Sequence, residues 1–553
     1  MPFSHVERAY ALQSFREATF DVAIVGGGIT GAGIARDAAM RGLSVALVEK
    51  GDIASGTSSR SSRLIHGGLR YLEQGRLGLV FEALEERTVL CRIAPHLARP
   101  LPFLFPVYEG SRRGLWTVSA GMWIYDGLSF FRSYRLHKTL SAVRVRELEP
   151  RLASDGLAGG VLYYDCATND ARLTLENAIA AGRAGASIAT WCEATGFLRE
   201  GGRVAGLAAR DRLGGAEFEV RARVVVVAAG PWLDCQLPLA TGSQSRFLRP
   251  TKGVHLVVPS SRLPVSHAVV GSAVADRRVI FLLPWGGFTI VGTTDTDYDG
   301  DPDRVAADAA DVEYLLATAN ACIPGADLGP FDVASTYAGL RPLLRQEGVP
   351  ESELSREHRI LEPAEGLLAI AGGKLTTYRR MAAEVVDRAL RELPPGTALH
   401  PACRSAEEPL PGAPGWTWEN VDGSTEEKAL LAEHKIPPDV VKHLLRTYGA
   451  RAFEIASLAG KDPLLATRIH PDRPNLWAGL DFAVEEEMAL RLEDFLVRRT
   501  SLFHKAPDQA LGLARPVAER MARLLGWEEA RVEEEVANYR ELVAASRAFR
   551  EGR

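Results

Sequence analysis

Three stretches of the chain repeat one hydrophobic rhythm. Phe20 to Val25 carries Val22, Ile24 and Val25 in a short apolar run, the pattern of a strand buried in a parallel sheet. Ile29 to Arg41 follows at helical spacing, with Ala32, Ala35, Ala38 and Ala39 small enough to pack closely on that strand. Leu43 to Val48 is a second apolar run ending in Glu49. The rhythm returns at Val224 to Ala229, a wholly apolar run that meets Gly230 and Pro231. It returns again at Leu367 to Ala371, followed by Gly372, Gly373 and a helix starting near Thr376 or Thr377. Three visits to one sheet predict a discontinuous α/β domain.

The remaining pattern fills in around that sheet. Residues 1–18 predict a short helical arm, and residues 77–98 a helix closing near Pro95. Val161 to Tyr163 predicts a strand, with Asn169 or Asp170 capping the helix after it. Arg203 to Val227 alternates like antiparallel strands, residues 246–300 are strand-rich, and Asp308 to Ala321 is helical. Phe103, Phe105, Trp116, Trp123 and Tyr125 read as ordinary packing aromatics. Residues 394–427 contain PP and PLPGAPG and read as a linker. From about Ser424 to Arg553 the pattern is helical, and its charge runs read as solvated faces of a separate all-α domain.

The first repeat carries chemistry. Gly26, Gly28 and Gly31 fall at the G-x-G-x-x-G spacing between strand and helix. The glycines let a pyrophosphate approach the backbone, and the helix N-terminus offers it unpaired N–H groups. Glu49, at the end of the second strand, suits ribose hydroxyls and would repel a 2′-phosphate. Strand, glycines, helix, strand and acid in register define a dinucleotide site. The loop at 51–75 supplies Gly, Ser and Thr with Arg60, Arg63 and Arg70, together with apolar Leu64, Ile65, Leu69, Tyr71 and Leu72. The helix start after Gly373, with Lys374 beside it, suits a group that gains negative charge.

Composition narrows the class. At 553 residues the chain should hold two or three domains, and a net charge of −5 argues against a nucleic-acid partner. Six scattered cysteines read as free intracellular thiols, and neither they nor the twelve histidines form a metal pattern. Alternating Asp295, Asp297, Asp299, Asp301 and Asp303 lack the twelfth-position glutamate of a calcium loop and read as a solvated turn. No apolar run reaches the roughly 20 residues of a membrane span, and residues 1–18 do not resemble a signal peptide.

VGGGITGAGIARDAAMRGLSVALVE (25–49), SSRLIHGGLRYLE (61–73), AAGPW (228–232), PWGGFTIVGTTDTDYDGDP (284–302), YAGLRP (337–342) and GGKLTTYR (372–379) together resemble the FAD-dependent, quinone-linked glycerol-3-phosphate dehydrogenases. The resemblance spans roughly residues 20 to 390; one departure is Ala229, where family members often carry threonine. It implies a glutathione-reductase-like FAD-binding Rossmann domain (19–80, 151–240 and 351–393) and a mixed α+β substrate-binding cap (81–150 and 241–350). A linker (394–423) and an all-α C-terminal domain (424–553) complete it. The implied reaction is oxidation of sn-glycerol 3-phosphate to dihydroxyacetone phosphate by hydride transfer to FAD N5, with electrons passed to membrane quinone. Quinone implies a cytoplasmic protein peripherally attached to the inner face of the membrane; a homodimer is compatible with the resemblance.

Residue by residue, the implied FAD contacts begin with Gly26, Gly27, Gly28, Ile29, Thr30, Gly31, Glu49 and Lys50. They continue through Thr57, Ser58, Ser59, Ser62, Leu64, Ile65, His66, Gly67 and Gly68, then Ala194, Ala229, Gly230, Gly373, Leu375 and Thr376. Phosphate needs cations, and guanidinium groups suit it best, so Arg70 and Arg341 are the substrate-binding candidates, with Tyr71, Thr377 and Lys374 beside them. Lys374 serves flavin or substrate. For the hydroxyl proton, His255 is the first candidate and His66 the second, because imidazole titrates near neutral pH. Two alternatives stay open: an oxygen-using flavin oxidase of the same fold, and a dinucleotide-dependent binding or regulatory protein.

Overall fold

The computed structural model describes residues 3–68, 72, 75–130, 134–346, 357–416, 424–434 and 436–551. Five parallel strands form the centre of the first sheet, in the order Leu367–Gly372, Glu217–Val227, Thr19–Val25, Val45–Val48 and Ser187–Ala189. His358–Ala364 runs antiparallel at one edge, and Cys192–Glu200 with Arg203–Asp211 forms an antiparallel ribbon beside Glu217–Val227. Alternate residues of the central strands feed two different cores. Val22, Ile24, Leu47, Val224 and Val226 pack under the helices Ile29–Met40, Asp170–Arg183 and Tyr378–Leu390. Ala23, Val25, Val48, Val225 and Val227 pack on the other face, against Phe15 of the arm helix His5–Glu17. Burial on both faces is why these strands are continuously apolar.

The second sheet runs Leu64–Ile65, Leu157–Ala167, Arg99–Tyr108, Ala268–Ser272, Val279–Pro284, Phe288–Gly292, Leu248–Pro259 and Thr296–Asp297. Ser335–Leu344 also pairs with Leu248–Pro259, in a register that sets His255 against Tyr337, Gly253 against Gly339 and Thr251 against Arg341. Val254, Leu256 and Val258 face one core, beneath the helix Ala309–Cys322, so period-two alternation turns Gly253 and His255 the other way. Helices Leu77–Ile93 and Leu115–Leu128 cover the sheet elsewhere through Val80, Leu84, Met122 and Tyr125.

Two readings of the polar segments change. Residues 394–416 are irregular, yet Leu410 and Ala413 are buried, Leu410 N–H donates to the Ile93 carbonyl, and Gly412 N–H donates to Glu176. That segment is a packed strap, because its apolar residues recur too rarely to show periodicity but each finds a pocket. The charge run of residues 485–499, expected as a solvated face, buries Glu487, Asp494, Arg498 and Arg499. They are buried because each charge meets an opposite charge: Arg172 and Arg451 reach Glu487, and Arg498 and Arg499 reach Asp52. The aspartate array is likewise mostly paired, Asp295 with Arg341, Asp297 with Arg249 and Asp303 with Lys50.

Candidate active site

A cavity of about 560 Å³ runs from the glycine turn to the face of the second sheet at His255. At its first end, the strand Thr19–Val25 stops at Gly26, whose φ of 111° and closeness to the Ala228 carbonyl exclude a side chain. A Cβ on Gly31 would stand 1.9 Å from the Gly26 carbonyl oxygen, so the helix can start this near the strand only with glycine there. Gly28, the N-cap, supplies no side-chain cap, and Gly28, Ile29 and Thr30 border the cavity. Ile29 N–H donates to Ser58 Oγ at 2.9 Å, which ties the serine-rich loop to the helix start.

Glu49 is buried beside this turn. Its Oε2 accepts from Gly27 N–H at 2.6 Å and its Oε1 from Gly51 N–H at 2.8 Å. Burial raises its pKa, and those two amides oppose the rise. Oε1 also accepts from Ser55 Oγ at 3.3 Å, so the further lone pair left for a ligand is on Oε2. Lys50 turns aside, to Asp303 at 2.6 Å and over the Trp232 ring at 4.4 Å.

At the other end, His255 is 3 % exposed and stacks on Tyr337 at 4.7 Å. Its Nε2 lies 2.8 Å from Ser62 Oγ. Burial, then the charges of Arg341 and Arg63, push its pKa down to about 3, so the ring is neutral across the physiological range. Arg341 borders the same space, with Nη1 2.9 Å from Asp295 and Nη2 3.1 Å from Thr293 Oγ1. Lys374, Leu375, Thr376 and His66 border it too, and His66 N–H donates to Thr376 Oγ1 at 3.4 Å.

Thus the cavity collects Gly26, Gly28, Ile29, Thr30, Glu49, Lys50, Thr57, Ser58, Ser59, Ser62, Leu64 and His66 from the first part of the chain. From later parts it collects Ala194, Ala229, Gly230, His255, Arg341, Gly373, Lys374, Leu375 and Thr376. Gly27, Gly31, Ile65, Gly67 and Gly68, expected at the cofactor, do not line it. Thr377 is buried on the far side of its turn, with Oγ1 against Met381 Sδ, and does not reach the cavity. Arg70 and Tyr71 lie outside the described residues.

Matches to known proteins agree with this geometry. The FAD dependent oxidoreductase family matches residues 21–416, and the C-terminal domain of alpha-glycerophosphate oxidase matches residues 403–532. The glycerol-3-phosphate dehydrogenase 2 of Mycobacterium tuberculosis is 42 % identical over 544 residues, 98 % of this chain and 90 % of its own length. The chain belongs to the FAD-dependent glycerol-3-phosphate dehydrogenase family. A Synechocystis glycerol-3-phosphate dehydrogenase is 37 % identical over 94 % of the chain and 96 % of its own length. The structure of a Bacillus halodurans member complexed with FAD aligns with a TM-score of 0.82 at 31 % identity, across 99 % of this chain and 98 % of that one.

The residues present fit the family's cofactor. A helix N-terminus whose N-cap residue supplies no side chain suits the pyrophosphate, and the space where a Gly230 Cβ would stand holds no protein atom within 4 Å. Further residues border the cavity beyond those assigned to the site from the sequence. Arg60 borders the cavity with one backbone acceptor, the Ala338 carbonyl at 3.3 Å. Trp232, Arg498, His504 and Ser546 also border it. The last three come from the helical region, and no local motif marks them.

That helical region is anchored beside Glu49. In the π-helical segment Asp494–Arg499, Arg498 Nε and Arg499 Nη1 donate to Asp52 at 2.6 and 2.7 Å. Asp494 accepts from Trp191 Nε1 at 3.2 Å, and Trp191 N–H donates to the Gly51 carbonyl at 2.8 Å. Burial, then the Asp52 charge, push Asp494 up to about 7.

Proposed function

We propose that this FAD-dependent oxidoreductase converts sn-glycerol 3-phosphate to dihydroxyacetone phosphate and passes the electrons to membrane quinone. One observation carries the reading: a single cavity, with Lys374 on its wall, joins the helix N-terminus at Gly28–Thr30 to a neutral, water-shielded His255 near Arg341. FAD supplies the two-electron acceptor. His255 takes the hydroxyl proton, and Ser62 Oγ at 2.8 Å orients the ring. Arg341, its guanidinium fixed by Asp295 and Thr293, and Lys374 hold the substrate phosphate; Arg70 and Tyr71 join them by resemblance. His66 closes the space, held by Thr376. Quinone as acceptor places the protein at the inner face of the cytoplasmic membrane.

Oxygen as acceptor is the second reading, favoured by the match of residues 403–532 to an oxidase domain. Mixing the yellow protein anaerobically with glycerol 3-phosphate tests both. Bleaching, then recovery faster with a quinone analogue than with air, supports the dehydrogenase. Fast recovery in air with peroxide favours the oxidase, and no bleaching refutes both.

A further inference from the structure

The helix Leu115–Leu128 presents bulky apolar side chains to solvent. Trp116 is 88 % exposed, Trp123 57 % and Ile124 52 %, a spacing of seven and eight residues that sets all three on one face. Its opposite face buries Met122, Tyr125 and Asp126. The helix is therefore apolar on both sides, which removes the amphipathic signature and makes its tryptophans look like core residues in the sequence. That expectation fails for Trp116 and Trp123. Leu136, 42 % exposed, lies beside it, and Phe130 and Val143, 63 % and 57 % exposed, follow in the flanking segments. The segments lie side by side: the Trp123 ring is 4.8 Å from the His137 ring, and Ser119 Oγ is 2.7 Å from Thr139 Oγ1. Exposed apolar patches of this kind mark interaction surfaces.

Charge selects the partner. Residues 110–146 contain seven Lys and Arg against one acid, in a chain whose net charge is −5. That acid, Asp126, is buried against His137 Nδ1 at 2.8 Å. Arg112, Arg135, Lys138 and Arg146 are exposed, and Arg144, exposed too, pairs with Glu147 just beyond this stretch. Tryptophan among exposed cations is the composition of a surface that sits in lipid headgroups. A second copy of the chain fits poorly, because a two-fold axis would set this basic face against itself. We propose that the face around Trp116, Trp123 and Ile124 docks on an anionic lipid surface. The inference rests on the quinone reading, which needs a lipid-soluble acceptor to reach the cavity. The helix stands where that contact is useful: Tyr125 Oη, on its inner face, accepts from Gly67 N–H at 2.9 Å, next to the cavity residue His66. One helix diameter of about 10 Å separates lipid from that loop. Among the described residues no helix is long and apolar enough to cross a membrane, so this is surface attachment.

Co-sedimentation of the FAD-loaded protein with vesicles tests the proposal, using phosphatidylcholine alone or with about 30 % phosphatidylglycerol. The protein should bind the anionic vesicles more tightly and lose binding as salt rises. Trp116→Ser with Trp123→Ser, and separately Arg135→Glu with Lys138→Glu, should weaken binding at least about tenfold. Both variants should bleach with glycerol 3-phosphate and reduce a soluble quinone analogue like the parent. Failure of the parent to bind, or equal binding by the variants, overturns the proposal. So does a lipid-free dimer that the tryptophan variant dissolves, since the face would then belong to a second copy. A parent that binds vesicles but does not bleach would sink the assigned reaction and leave the docking face standing.

Discussion

Replacing His255 with Asn removes a cavity base that is both buried and neutral. The ring's pKa stands at about 3 instead of 6.5, so charging it in the empty site costs about 5 kcal/mol more than charging an ordinary histidine. A base that weak could not take a proton from an alcohol. Substrate changes the balance: two negative charges about 5 Å away, at an effective dielectric of about 20, return roughly 7 kcal/mol. In the proposed reaction the substrate phosphate would make His255 basic at the moment it is needed. His255→Asn should slow anaerobic bleaching by roughly 10²–10⁴-fold at saturating substrate while FAD content stays stoichiometric. Asn is smaller than the ring against which Gly292 packs, so the strand should accept it. The ratio of parent to variant kcat/KM cancels the substrate's own phosphate ionisation near pH 6 and should stay flat between about pH 5 and 8. The same ratio for kcat should fall on acidification, because the bound dianion has lifted the ring into that range. Bleaching within about threefold of the parent would make His255 structural. A kcat/KM ratio that drops near the ordinary histidine pKa would refute the burial argument.

Asp52→Asn leaves Arg499 with the Glu487 carbonyl at 2.8 Å, while Arg498 keeps Asp494 at 2.6 Å. A cost of about 3 kcal/mol is expected, read as a lower apparent Tm and faster FAD loss; unchanged values would detach the seam from the cofactor end. Lys505 lies over the Trp285 ring at 3.9 Å, and burial, then Arg63, push its pKa down to about 7. Its penalty is complete below pH 7 and disappears towards its unfolded value of 10.5, so Lys505→Met should raise the Tm at neutral pH and not at high pH. Solvent still reaches the amine, so the neutral-pH gain should be about 1 kcal/mol; an equal gain at both pH values would point to packing alone. Gly31→Ala would set a methyl 1.9 Å from the Gly26 oxygen, so the variant should purify without yellow colour. Stoichiometric flavin in that variant would mean the turn can open.

Legibility followed locality. The glycine turn and Glu49 lie within one strand–helix–strand unit, so spacing alone revealed a dinucleotide end and the α/β class. The second and third strands of the sheet announced themselves because both their faces are buried. His255 carried no such signal: its place depends on a register that pairs Leu248–Pro259 with Ser335–Leu344, nearly a hundred residues apart. Arg60, Trp232 and Arg498 reach the cavity only through tertiary packing. Charge runs misled, since burial with partners and exposure to water both use Asp, Glu and Arg. The double-faced helix Leu115–Leu128 misled in the opposite sense, its exposed tryptophans passing for core.

The buried charges at the helical seam call for a reason other than stability. Arg172, Arg451, Arg498 and Arg499 meet Asp52, Glu487 and Asp494 where well-packed apolar residues would hold the pieces together about as firmly. Apolar contacts, however, slide, whereas two guanidinium groups on one carboxylate fix its place. Asp52 follows Gly51, whose N–H is one of the two amides on Glu49, and Trp191 bridges the Gly51 carbonyl to Asp494. The network therefore positions Glu49, the acid proposed to face the ribose. Tyr125 does the corresponding task at the other end, gripping Gly67 N–H while donating to Asp165 at 2.8 Å. Each end of the cavity is thus set by a helix outside the nucleotide sheet. In the proposed reading, the helical seam governs how firmly the adenosine half would be held, and the tryptophan-faced helix governs the loop beside the reacting end.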